Sequence, residues 1–166
     1  MKEKLQFVRL PILLFVLFFV GNLVLGAVRG VDKSSYDTSK KLFSMVILQV
    51  HVAILWAAVG RRYRGYSVSG SIAVAVLAVA ASQILIYLGT AFSYLAGIDT
   101  FFNFGEALNR PGETLPFAAA MIARTGTFVA NCVIGAILGA IGWALGGLIP
   151  AGSVSTQAGM KEMSPR

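Results

Sequence analysis

Few side chains in this sequence can carry chemistry, and they are sparse enough to be weighed singly. The one cysteine, Cys132, cannot close an intrachain disulfide, form a Cys-x-x-Cys pair or build a thiolate metal site. The one histidine, His51, is of the type that ligates haem or metal, or relays protons, at membrane depth. Alone it does little, because bis-histidine haem ligation would need the His51 of a second copy. Gln49 lies two residues earlier and points to another helical face, so the two cannot share a ligand from one helix. The plainer reading of His51 is a neutral imidazole hydrogen-bonded inside a bundle, near a Ser44, Leu48, Leu55 face. It is a weak candidate for binding a cofactor, and no cofactor is expected.

Arg124 interrupts an otherwise apolar stretch. With Glu106 or Glu113 nearby in sequence it could meet an anionic headgroup, but an arginine snorkelling from a helix to the interface is the simpler expectation. No Asp or Glu falls inside an apolar segment, which argues against proton-coupled pumps and exporters. The sequence holds no glycine-rich phosphate loop, no His-Glu-x-x-His and no Ser-x-x-Lys pair. The expectation is therefore a protein without a catalytic site or bound metal.

Two polar stripes remain. Gln83, Tyr87, Thr90 and Tyr94 repeat at helical spacing and share one face, either as the lining of a polar cavity or as hydrogen-bonding partners for Asn22, Thr127 or Asn131 on other helices. Arg124, Thr127, Asn131, Gly135, Gly139, Gly142 and Gly146 form a second face. Its glycine half has Gly-xxx-Gly spacing, which lets another helix backbone approach closely. That partner is either a neighbouring span of the same chain, the commoner use, or a second copy.

The elements that must hold these residues are set by composition. Hydrophobic residues make up 57% of the 166 and charged residues 13%, against roughly 45–50% and 25% in soluble domains. The apolar residues come in blocks near bilayer length, predicting an all-α integral membrane protein, a bundle of four transmembrane helices over about residues 10–28, 42–60, 70–97 and 121–148. The first block also has the basic start of a signal peptide, but its apolar run is too long and other spans follow, so it is expected to be retained. Thr114 is expected to cap the last helix, with Pro116 in its first turn.

The connections are too short for a second domain. Residues 29–41 read as a short polar loop, and 98–114 as an amphipathic stretch lying on the outer interface, with Phe101, Phe102 and Phe104 beside Asp99, Glu106 and Glu113. The tail, 151–166, is small and polar and is expected to be disordered. The two halves share no recurring motif, which leaves an inverted-repeat transporter unsupported.

The net charge of +7 is scattered over segment ends, so it reads as membrane topology and not as a nucleic-acid surface. Lys2, Lys4, Arg9, Arg61, Arg62, Arg64, Lys161 and Arg166 fall on one side of a four-span layout, and Arg29, Lys33, Lys40, Lys41 and Arg110 on the other. The bias puts both termini in the cytoplasm of a cell-membrane protein. The functional expectation is a small polytopic membrane protein acting through helix packing, as a homo-oligomer or as an accessory subunit of a larger membrane protein in the lipid bilayer. Two alternatives stay open: an oligomeric channel or facilitator lined by Gln83, Tyr87, Thr90 and Asn131, and a haem-binding electron-transfer subunit using His51.

Overall fold

The structure is a computed structural model that describes residues 2–150, so the expected disordered tail, 151–166, lies outside the described residues. Those residues form an all-helical bundle without strands. A short helix α1 (Lys2–Phe7) leads into α2 (Arg9–Arg29), followed by α3 (Lys33–Leu42), α4 (Met45–Arg64), α5 (Val68–Ala96), a single 3-10 turn (Gly105–Leu108) and α6 (Phe117–Gly146). Four segments are long and apolar enough to cross a membrane: Arg9–Arg29, Lys33–Arg64, in which the apolar part is α4, Val68–Ala96 and Phe117–Gly146.

Local chemistry sets the ends of these helices. Asp32, Ser44 and Ser67 accept from the backbone N–H groups of Ser35, Ile47 and Gly70, capping α3, α4 and α5. The Ser35 N–H holds the Asp32 carboxyl below its ordinary range. At the other ends, Gly65 (φ 63°) and Gly97 (φ 64°) take the left-handed conformation that stops α4 and α5. The helix α6 starts one residue after Pro116, which occupies the cap position expected of Thr114.

Two expectations about the connections, those for 29–41 and 98–114, are corrected. Residues 33–42 are a helix and not a loop, because Asp32 caps them and Ser35 and Ser39 turn inward against α2. The basic cluster Arg61, Arg62 and Arg64 is the last turn of α4, and only residues 65–67 connect it to α5. The 98–116 segment does not lie flat: Phe101, Phe102 and Leu108 are buried, with Phe102 stacked on Phe19 of α2 at 4.8 Å. Ser93 and Thr100 share a hydrogen bond of 2.6 Å, and Tyr94 donates to the Leu115 carbonyl at 2.7 Å, fastening both ends of the segment to α5.

The helix α5 is central, packing against α2, α4 and α6. Phe15, Met45, Val52, Ala78, Ile86 and Phe102 fill one apolar cluster, and Ala53, Ala75 and Val79 form a tighter seam closed by Leu138. Large apolar side chains point outward instead, among them Leu13 and Leu17 on α2 and Ile122, Val129, Val133 and Ile137 on α6. Small and polar residues inside with branched apolar residues outside is the arrangement of helices that associate through close packing.

Candidate functional site

The glycines of α6 are used within the chain. A Cβ on Gly135 would sit 3.0 Å from Val79, and one on Gly139 would sit 2.8 Å from Ala75, both on α5. On α4, a Cβ at Gly146 would lie 2.5 Å from the Ala58 carbonyl oxygen, and one at Gly142 would collide with the Ile54 carbonyl. The face is therefore filled by α4 and α5 and is not open to a second copy. Arg61 closes the same end, donating to the Trp143 carbonyl at 2.8 Å with its guanidinium 3.8 Å above the Trp143 ring. Trp143 and Trp56 donate to the carbonyls of Tyr66 and Phe7. We call this the basic end.

At the opposite, loop end, α4 and α6 separate around a cavity of about 440 Å³. Its lining comes from each of the helices α2 to α6 and the segment between the last two: Asn22 of α2, Tyr36, Ser39 and Lys40 of α3, Val46 and Ile47 of α4, Gln83 and Ile86 of α5, Phe102, Glu106 and Asn109 of the 98–116 segment, and Arg124, Thr127 and Asn131 of α6. Asn22 donates to the Phe18 and Phe43 carbonyls and accepts from the Ser39 hydroxyl, which pins the α3–α4 corner onto α2. On α5, Gln83 donates to Gln49 Oε1 at 3.1 Å and Gln49 donates to Ser82 Oγ at 2.7 Å, forming a clamp between α4 and α5.

Arg124 dominates the wall. It is 8% exposed, which corrects the expectation of a snorkelling arginine. Its Nε donates to Thr90 Oγ1 at 3.0 Å, Nη1 to the Ala107 carbonyl at 3.0 Å and Nη2 to the Phe102 carbonyl at 2.7 Å. The Thr90 hydroxyl lies between the carbonyls of Ile86 and Phe102, at 2.9 and 3.1 Å. These bonds tie the loop segment to α5 and α6, but every acceptor is neutral. Among the described residues no carboxylate comes within ion-pair distance of Arg124. A guanidinium has five N–H donors, so two remain on a buried cation at a cavity wall. Tyr36 is within electrostatic reach of both Arg124 and Glu106.

The polar residues singled out in the sequence thus divide. Asn22, Gln83, Arg124, Thr127 and Asn131 converge on the cavity, with Thr90 behind Arg124 and Gln49 behind Gln83. Tyr87 is half-buried on α5 and lies outside the lining. Asn131 and Thr127 face the cavity but do not bond to the α5 stripe; Thr127 donates to Ala123 of its own helix. His51 is corrected outright: it is exposed on the outer face of α4, its Nδ1 2.8 Å from the Ile47 carbonyl of the same helix. Gln49, on the opposite face, is buried. No group of three or more His, Cys, Asp or Glu side chains placed to hold a metal occurs among the described residues.

The site includes Tyr36 and Ser39, with Ser82 behind Gln49, which sequence reasoning left out. Glu106 is named from the sequence, beside Arg124, as a place where an anionic headgroup could be met, and it does line the cavity. The α3 residues carried no such hint, since they read as a solvated loop. A buried, partly bonded arginine beside polar side chains is suited to hydrogen-bonding an oxyanion, which a guanidinium does with charge assistance. Comparison with protein-family models, with curated proteins and with solved structures found no match.

Proposed function

We propose that this chain is a multi-pass protein of the cell membrane, both termini cytoplasmic, that works by binding and not by catalysis. It holds an oxyanionic ligand in the loop-end cavity, by itself or as an accessory subunit of a larger membrane complex. One observation carries the reading: Arg124 is a buried cation on the cavity wall whose three acceptors are all neutral. A buried charge without a counter-charge is costly, and a bound anion is the partner that removes the cost.

Lys4, Arg61, Arg62 and Arg64 support a cytoplasmic basic end, and in that orientation the cavity opens on the outer side. With the glycine face filled by α4 and α5, the surfaces left for lipid or a larger partner include the outward apolar faces of α2, with Leu13 and Leu17, and of α6, with Ile122, Val129, Val133 and Ile137. The channel reading is weaker, because beyond Gln83 the helices α4, α5 and α6 close on one another along the glycine seam.

Native mass spectrometry of protein extracted gently from its own membrane tests the reading. A small anionic molecule is expected to remain bound. Asn131→Leu, which replaces a polar wall residue with a bulkier apolar one without touching the Arg124 bonds, is expected to weaken its binding while the ligand-free proteins melt alike. An empty wild-type cavity that takes up no added anion would overturn the binding function.

A further inference from the structure

The cavity carries two charges of opposite sign, both unpaired among the described residues, and they stand on different elements. Arg124 is buried on α6, while Glu106 is half-buried on the 3-10 turn, and the two do not pair with each other. Lys40, the remaining charged lining residue, is exposed, so water already solvates it. A simple anion would meet Arg124 but bring its charge toward Glu106. A neutral ligand would leave both charges unanswered. A molecule with an oxyanion and an ammonium answers both, each with a charge-assisted hydrogen bond.

The walls say what the rest of that molecule is. Lys40 and Asn109 line the cavity and are exposed, which marks an opening at the loop end. Val46 and Ile47 also line it, at 54% and 55% exposure, which marks a second opening through the apolar flank of α4. Ile86 and the buried Met45 continue that apolar wall inward. A ligand that is charged at one end and apolar at the other fits both openings at once.

Building on the binding function above, we propose that the ligand is an aminophospholipid, its phosphate on Arg124, its ammonium on Glu106 and an acyl chain leaving past Val46 and Ile47. The test uses the full-length protein in detergent, titrated with dioleoyl-phosphatidylethanolamine, dioleoyl-phosphatidylglycerol or water-soluble phosphorylethanolamine, with bound molecules counted by native mass spectrometry. The expected result is that the aminophospholipid binds about tenfold more tightly than the glycerol lipid, the worth of one charge-assisted hydrogen bond. Glu106→Gln is expected to erase that preference while both lipids still bind, and the soluble headgroup is expected to bind far more weakly than the lipid. Equal or better binding of the glycerol lipid, or a preference untouched by Glu106→Gln, overturns the proposal and leaves the binding function standing. Soluble phosphorylethanolamine binding as tightly as the lipid overturns the assignment to a lipid. If none of the three binds the wild-type chain, the aminophospholipid assignment fails, and the binding function fails with it where the protein extracted from its own membrane also carries no oxyanionic ligand.

Discussion

The helices α4 and α6 meet at one end of the bundle and part at the other, and the two ends use different materials. At the basic end, Gly142 and Gly146 let backbone touch backbone at Ile54 and Ala58, and Arg61 and Trp143 donate to main-chain carbonyls. At the loop end, the corresponding stretch of α6 carries Asn131, Thr127 and Arg124, side chains with volume and hydrogen-bonding groups, and the helices stand apart around a cavity. A helix row of small residues closes; the same row continued in polar residues opens. One face of one helix thus supplies both the seam and the site.

The largest expected effect comes from breaking the closed end. Gly142→Leu drives a side chain into the Ile54 carbonyl and Ala57, so it is expected to cost more than about 3 kcal/mol, or to prevent folding, as overpacking of a backbone contact does. Gly126→Leu, at a position with nothing within 4 Å, is the control and should change thermal stability in detergent by less than about 0.5 kcal/mol.

Breaking the open end should be milder and local. Arg124→Met leaves the Ala107 carbonyl without its donor and the Phe102 carbonyl with the Thr90 hydroxyl alone, an expected loss of about 1–3 kcal/mol. Its signature is faster proteolysis within 98–116, with the basic end intact by cysteine crosslinking of α4 to α6. Gln49→Leu removes the clamp to Ser82 and Gln83 and is expected to cost about 1 kcal/mol, read from the melting temperature. Smallest of all, His51→Leu replaces an exposed side chain bonded only to its own helix and should shift stability by less than about 0.5 kcal/mol.

Much of the architecture was legible before any coordinates, and the reason is physical. Apolar blocks of bilayer length bounded by charge are a long-range signal, and the four helices begin and end within a few residues of those blocks. The glycine stripe was equally readable as one face, because a 3.6-residue period survives any tertiary arrangement. Rotation was not readable. When both the interior and the exterior of a bundle are apolar, nothing in mean hydropathy says which face turns inward, so Gln49 and His51 could be separated, but His51 was read as facing inward, whereas it is Gln49 that does.

The loop end was the least legible part. Arg124 is held by the carbonyls of Phe102 and Ala107, and a backbone carbonyl has no residue-type signature. Phe101 and Phe102 looked like interface anchors because aromatic side chains suit an interface and a core equally well. Likewise α3 looked like a loop because its inward face is built from Ser35 and Ser39, the latter bonded to Asn22 of α2.

The claim that one end is a ligand-accessible cavity and the other a closed seam can be tested directly by cysteine labelling. In a Cys132→Ser background, Asn131→Cys places a thiol on the cavity wall and Ala57→Cys places one in the fully buried seam against α6. Oriented vesicles are treated with a charged, membrane-impermeant methanethiosulfonate from either side. The account predicts that the Asn131→Cys variant reacts from the outer side alone while the Ala57→Cys variant stays unmodified from both sides. Equal labelling of the two variants, or none of the Asn131→Cys variant from either side, would contradict it.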